Sequence, residues 1–297
     1  MSVRMEGDVV VVTGAGAGLG RAYALEMAGL GASVVVNDIG ESAERVAEEI
    51  RSGGGDAIAL RGSVADRDAM ADVARRVQEK YGRVDALVHN AGILRDRTLA
   101  KLTEADIGDV IAVHLKGAFN VVQAVLPAMF SRGYGRIVLV TSSSGLYGLF
   151  GQSNYAAAKM GLVGLANAAK IELERKGVLI NCVAPSAMTA MTEGLVVPEL
   201  AAKMQAEHVA PAVAFLCSRA CQLSGAVMTA GARHFALDRM VESQGVTFEG
   251  DDRITVDMVA AALPRISDFT GSRPFHSGAD QLAKITGTEA PPKEDGR

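Results

Sequence analysis

Residues 13–20 read TGAGAGLG, four glycines in eight positions, and they follow directly on VVVVT at 9–13. A continuous β-branched run of this kind reads as a strand covered on both faces, as in a parallel sheet. Glycines at 14, 16, 18 and 20 never satisfy G-x-G-x-x-G in register, so the loop is either a tight structural turn or a phosphate cradle. A helical pattern opens at about Gly18. Strand, glycine turn and helix N-terminus together form anion-binding geometry: unpaired peptide N–H groups line up with the helix dipole, and absent side chains let a pyrophosphate approach them.

Six more runs carry the same signature: SVVVND (33–38), AIAL (57–60), VDALVHN (84–90), GRIVLVTSS (135–143), VLINCVAP (178–185) and GAVMTAG (225–231). Between them lie helical stretches such as SAERVAEEIRSGG, RDAMADVARRVQEKYG and DVIAVHLKGAFNVVQAVLPAMF. Repeated βα units predict an α/β fold: a single doubly wound, Rossmann-type sheet of seven parallel strands with helices on both faces. Residues 1–231 form the expected nucleotide-binding core. Residues 232–285 form a C-terminal extension packed on the core or on a partner subunit, with a helix-like stretch from Thr255 to Phe269. The polar end, 286–297, is expected to be disordered.

Composition bounds the partners. Hydrophobic residues at 49%, charged residues at 22% and a net charge of −4 are ordinary globular values, with no basic field for nucleic acid or anionic lipid. No apolar run is read as long enough to span a bilayer, and the N-terminal MSVRMEGD turns acidic early, so a soluble, cytoplasmic protein is expected. The three cysteines, Cys182, Cys217 and Cys221, read as reduced core thiols. Cys217 and Cys221 lie one helical turn apart without a third ligand nearby, so no metal site is expected.

The chemistry is concentrated in TSSSGLYGLFGQSNYAAAK at 141–159, which carries Ser142, Tyr155 and Lys159. Tyr155 and Lys159 are four residues apart at a helix start and project from one face. An ammonium beside a phenol favours phenolate, lowering a pKa that is about 10 when unperturbed. Tyr155 could then act as general base toward an alcohol and as acid in reverse, with Ser142 hydrogen-bonding the same oxygen. Taken singly, the pair also reads as an exposed helix face and Ser142 as a loop residue.

Four motifs in order resemble the short-chain dehydrogenase/reductase family. Thr13, Gly14, Gly18 and Gly20 match its T-G-x-x-x-G-x-G loop, Asn90-Ala91-Gly92 its N-A-G segment, and Ser142 with Tyr155 and Lys159 its catalytic set. Segments such as NAGILRDR, VHLKGAF and GLYGLFGQSNYAAAKMGLVGL are similar to the (3R)-hydroxyacyl-CoA dehydrogenase part of the peroxisomal multifunctional β-oxidation enzyme and its stand-alone bacterial relatives. The resemblance implies cofactor contacts from Gly14, Gly18, Leu19, Gly20, Asp38, Ser63, Val64, Asn90, Ala91, Gly92, Tyr155, Lys159 and Pro185. It adds His114 to the catalytic set, at the place of an Asn that helps bind a relay water. Two readings stand for His114, a modified relay or a packed helix residue. Ser63 replaces the family's usual Asp near the adenine, and Pro185-Ser186 its Pro-Gly.

Charge then argues the cofactor. Asp38 ends the second strand about twenty residues past the loop, where a carboxylate accepts hydrogen bonds from an adenosine ribose and repels the extra phosphate of NADP. With no Arg foreseen to compensate, and Ala17 where many NADP-using relatives carry a basic residue, NAD is expected. The implied reaction is oxidation of the 3-hydroxyl of a (3R)-hydroxyacyl-CoA. A 17β-hydroxysteroid dehydrogenase and a 3-oxoacyl reductase remain alternatives. A catalytically silent nucleotide-binding scaffold would lack the Tyr or the Lys, and both are present. Arg95 and Arg97 are candidates for the CoA phosphates or plain surface salt-bridge residues, and Ser186 to His208, with the tail, should supply substrate contacts. Ala157, Gly161 and Gly164, on the helix starting near Ser153, would let a partner helix approach, giving a homodimer or homotetramer. A second helix of the same chain could fill the same space.

Overall fold

The computed structural model describes residues 2–187, 203–250 and 252–288. Eight strands form one sheet: β1 (Val9–Thr13), β2 (Ser33–Asp38), β3 (Asp56–Arg61), β4 (Ala86–His89), β5 (Gly135–Val140), β6 (Val178–Ser186), β7 (Val227–Gly231) and β8 (His234–Asp238). Their order is β3-β2-β1-β4-β5-β6-β7-β8, and pairings from β3 to β7 are parallel. Winding reverses between β1 and β4, which opens a crevice at the carboxyl ends of those strands.

The eighth strand corrects the expected seven. Only Ala232 and Arg233 separate β7 from β8, and both have positive φ, 48° and 64°. That is a two-residue hairpin of the primed type, which makes β8 antiparallel to β7. The usual Asn-Gly or Asp-Gly signal is absent, and His234–Asp238 is half exposed rather than continuously apolar, so the segment reads as tail in sequence.

Continuous apolar strands follow from cover on both faces. Along β1, Val10 and Val12 join the cluster beneath α1 (Gly18–Gly29), α2 (Ser42–Ser52) and α8 (Ala210–Cys217), together with Tyr23, Met27 and Leu216. Val9 and Val11 join the opposite cluster, with α3 (Arg67–Tyr81), α5 (Gly117–Arg132) and α7 (Ser153–Leu173). Alternate side chains of one strand thus feed two cores. All three cysteines are buried free thiols.

The long apolar helix differs from its sequence reading. α4 (Glu104–Val110) runs through a π-helical turn, Ile111–Lys116, into α5. By length and composition alone, Glu104–Arg132 is long and apolar enough to cross a membrane, with 44% of that apolar window buried. Val121, Val122, Val125 and Met129 are sealed against the sheet, which accounts for its apolar character as a core helix.

The chain divides into two compact units, the first ending at Leu237 and the second starting at Asp238, six residues later than the expected boundary. The difference is β8, which belongs to the sheet. In the second unit, α9 (Val256–Ile266) is capped by the Thr255 hydroxyl, and α10 (Gly278–Thr286) opens with a capping box between Ser277 and Asp280. Glu242 gathers Lys284 (2.8 Å) and Gln281 (3.1 Å) from α10. The expected disorder of 286–297 falls largely outside the described residues.

Candidate active site

Thr13 closes β1 and organises the crevice. Its hydroxyl accepts the backbone N–H groups of Asn90 (3.1 Å) and Ala91 (3.2 Å), while the Asn90 amide donates to the carbonyls of Thr13 (3.2 Å) and Gly14 (3.0 Å). The N-A-G segment is therefore stitched to the glycine loop. Close packing explains two of the glycines: a Cβ on Gly14 would lie 2.7 Å from Ala91 Cα, and one on Gly20 only 2.2 Å from the Gly14 carbonyl. The tight-turn reading holds, and the same turn leaves the start of α1 open to the crevice. At the start of α1, Ala17 offers no capping side chain and the first turn holds no acid, with Leu19 half-buried beside it. Peptide N–H groups left uncapped at a helix start fit a pyrophosphate.

Asp38, at the tip of β2, has a second task that the sequence did not reveal. Its Oδ2 accepts the Gly16 N–H at 3.0 Å, and its Oδ1 accepts from Ile39 at 2.7 Å, so the carboxylate anchors the loop. An arginine is also nearer than foreseen. Arg61 is the β3 register partner of Asp38, with its guanidinium 3.5 Å from the Ile39 carbonyl and 3.9 Å from Glu41. Beyond β3, Ser63 accepts from the Ala65 N–H at 3.3 Å, and the carbonyl of buried Val64 accepts from the Asn120 amide at 2.8 Å. Pro185 is the next-to-last residue of β6, paired with Ala230. These positions all follow carboxyl ends of strands, where the fold places ligands.

The catalytic candidates converge from β5, α7 and the π turn. Ser142 caps the short helix α6 (Ser143–Tyr147), accepting the Ser144 N–H at 3.1 Å, and its hydroxyl is near enough to the Tyr155 phenol to favour the phenolate. Lys159 lies 5.5 Å from the Tyr155 ring centroid, 3% exposed, and donates to the Val140 carbonyl. His114, on the π turn, meets Tyr155 edge-on with centroids 5.1 Å apart.

Electrostatics depart from the expected ammonium effect. Burial holds the Tyr155 phenol above its ordinary range, only partly opposed by the Ser142 hydrogen bond. The same burial pushes the Lys159 ammonium down to about 7, and it donates a hydrogen bond to the Val140 carbonyl. His114 is pushed down to about 2, by burial first and then by Lys159, and stays neutral. Its Nε2 lies against the backbone of Ile93, 2.8 Å from the carbonyl and 3.0 Å from the nitrogen, while its buried Nδ1 has no partner among the described residues. Gly92 must be glycine here, since a Cβ would fall 2.3 Å from the imidazole Cε1. His114 thus packs as a helix residue does, yet leaves Nδ1 unpaired among the described residues.

Three residues escaped sequence reasoning. Asn154 donates to the carbonyls of Arg95 (3.1 Å) and Asp106 (3.0 Å), and accepts the Tyr155 N–H (2.8 Å). Gln152 links Asp96 (2.7 Å) to the Ser144 hydroxyl (2.8 Å). His89 bridges Thr13 and His114. The available signal was a polar residue in an apolar or catalytic run: His89 in ALVH, Gln152 and Asn154 flanking Ser153. Arg95 and Arg97 form exposed ion pairs with Asp109 (3.7 Å) and Asp106 (2.9 Å). Most of Ser186 to His208 lies outside the described residues.

A family model described as short chain dehydrogenase matches residues 8–200. The peroxisomal multifunctional enzyme type 2 of Drosophila melanogaster is 43% identical over 298 residues, covering 96% of this chain and 49% of that enzyme. Its full-length structure superposes with a TM-score of 0.84 at 39% identity, over 96% of this chain and 50% of that one. A short-chain type dehydrogenase/reductase of Mycobacterium tuberculosis is 42% identical, covering 89% of this chain and 96% of the relative. A 3-oxoacyl-[acyl-carrier-protein] reductase of Thermotoga maritima is 40% identical, covering 73% of this chain and 92% of the relative. The chain spans about half the length of the fly enzyme.

Proposed function

The chain belongs to the short chain dehydrogenase family and is an oxidoreductase with the family's Rossmann-like fold; from this premise we propose that it oxidises the 3-hydroxyl of a (3R)-hydroxyacyl-CoA with NAD. The observation that carries the substrate class is the match to the fly multifunctional enzyme over 96% of the chain, which runs past the glycine-rich core into the second unit. Asp38, a carboxylate at the tip of β2 beside the glycine loop, supports NAD over NADP by repulsion of the added phosphate. NAD, when bound, supplies the hydride acceptor.

The residues divide the remaining work. The start of α1 and the Asn90-Ala91-Gly92 segment hold the cofactor's phosphates and orient its reactive end, and Lys159 lies behind the phenol. Tyr155 removes the proton from the 3-hydroxyl, and Ser142 donates a hydrogen bond that favours the phenolate. Burial and the Asp96 carboxylate hold the phenol above its ordinary range, and Ser142 works against them.

Configuration follows from geometry. Tyr155 and Ser142 fix the oxygen, the cofactor face fixes the line of hydride departure, and inverting carbon 3 exchanges the acyl and thioester arms. A multiply charged CoA cannot enter an apolar acyl channel without a large desolvation cost, so 3R should exceed 3S by on the order of 10³ or more in kcat/KM. The reading takes the enzyme as a cytoplasmic homodimer or homotetramer. Ala157 and Gly164 on α7 are exposed, which supports helix pairing, whereas Gly161 is met by Leu115 of the same chain.

The test is NADH production from matched 3R and 3S hydroxyacyl-CoA esters and a free 17β-hydroxysteroid. Comparable rates on both esters, or a faster steroid, overturn the substrate assignment. The Thermotoga relative favours one other outcome, reduction of a 3-oxoacyl carrier protein, which consumption of NADH or NADPH with that substrate reads.

A further inference from the structure

His89 is the last residue of β4, 1% exposed and in register with Thr13 of β1. Its Nδ1 lies 3.3 Å from the Thr13 hydroxyl and its Nε2 lies 3.0 Å from the backbone carbonyl of His114. Both ends give the same proton assignment. The Thr13 oxygen already accepts two N–H groups, from Asn90 and Ala91, so its two lone pairs are filled and its own proton must be given away. Among the described residues, the acceptor placed to take it is His89 Nδ1. At the other end, the His114 carbonyl can only accept, so Nε2 carries the hydrogen. Burial pushes the imidazole down to about 4, which keeps it neutral and preserves this arrangement.

The bridge matters because of what hangs from each end. Thr13 is the hinge between β1, the glycine loop and the Asn90-Ala91-Gly92 segment. The His114 carbonyl belongs to the π turn, and the ring of the same residue is packed on Gly92, fixed at Ile93 and set edge-on to Tyr155. A π turn inside an α-helix is a local departure that needs outside support. With its carbonyl taken by His89 and its Nε2 by Ile93, His114 has Nδ1 as the ring nitrogen without a partner among the described residues, the atom a relay through this residue would use.

We propose that His89 is a positioning residue: a single-tautomer imidazole that ties the strand end bearing the cofactor loop to the turn bearing His114, and so holds the Tyr155 phenol in register with the cofactor. The proposal rests on Tyr155 as the proton-transfer group, but its first test does not involve catalysis. The chain has five histidines, so long-range proton–nitrogen NMR of the histidine-labelled protein, with H89N for assignment, reads the His89 tautomer directly. The expected signature is a hydrogen on Nε2 and none on Nδ1, unchanged from about pH 8 to 5, where an ordinary histidine titrates. A hydrogen on Nδ1, or titration near the ordinary value, overturns the proposal whatever the substrate proves to be.

The second test separates positioning from packing. Asn places a polar atom near the Nδ1 position of His, and Gln places one near Nε2, so H89Q retains a donor to the His114 carbonyl and H89N does not. In H89N, kcat should fall about tenfold, as misplacement of a reacting group does, while the dissociation constant for NAD changes little. H89Q should recover most of the lost kcat. H89N with normal turnover, H89Q no better than H89N, or both losing NAD affinity in step with kcat overturns the proposal. Should neither variant fold, the tautomer of the wild-type protein decides, with the His89 signal assigned through the backbone of the uniformly labelled chain.

Discussion

At the scale of single residues, burial dominates the site's titration. Tyr155→Phe keeps the ring against His114 and removes the proton-transfer group, so kcat should fall by at least ~10²-fold while NAD affinity, read by fluorescence titration, survives. Lys159 gives a prediction of a different kind. Its folded value of about 7 lies below the ordinary 10.5, so between these limits the folded protein binds fewer protons than the unfolded one, and stability rises with pH. Lys159→Met removes this dependence. Because Met also strands the Val140 carbonyl, the slope is the informative quantity and the absolute difference is not. Urea unfolding at about pH 7 and 9.5 should show wild type gaining stability relative to Lys159→Met as pH rises. Parallel curves for the two proteins would show that the ammonium is not desolvated at all.

At the scale of elements, the tip of β2 and the glycine loop act as one device. Asp38 combines negative charge with an acceptor for the Gly16 N–H, and two substitutions separate these roles. Asp38→Asn keeps an acceptor and loses the charge, so the NAD preference in kcat/KM should shrink with NAD affinity largely kept. Asp38→Ala should shrink the preference and weaken NAD as well. Equal use of both cofactors by wild type would remove repulsion at Asp38 from the argument, and Arg61, paired across the sheet, would be the residue to examine. These elements also show what a sequence makes legible. The glycine spacing, Asp38, and the Tyr155–Lys159 pair are local patterns, and each occurs where the spacing puts it. β8 was hidden because its turn uses Ala232 and Arg233 in a conformation that usually advertises itself with glycine or asparagine. His89 and Asn154 were hidden for another reason: their partners lie 76, 25, 59 and 48 residues away, and no local pattern records such pairing. The sign of the Tyr155 shift depends on burial, which spacing does not carry.

At the scale of the whole molecule, the sheet and its two cores carry all of the proposed cofactor positions without the second unit. Every cofactor position named for the nicotinamide dinucleotide lies in the first unit, which ends at Leu237, and both hydrophobic clusters are drawn from it. A body of that size buries enough of its chain to fold alone. The second unit has its own organisation around Glu242, Ser243 and α10, with Lys284 binding both the Glu242 carboxylate and the Ser243 carbonyl. A chain truncated after Asp238, which retains β8, should therefore remain folded and unfold in a single cooperative step. NAD should stabilise it as it does the full chain, by about 2.7 kcal/mol at a hundredfold excess over Kd. Turnover of an acyl-CoA should be reduced, because the match to the fly enzyme continues beyond the truncation point, into residues that the cofactor does not need. Thermal unfolding with and without NAD, beside acyl-CoA turnover, resolves the two contributions. A truncated chain that loses the NAD shift would mean that the sheet alone does not hold the cofactor loop in place, and one that keeps full turnover would exclude the second unit from substrate handling.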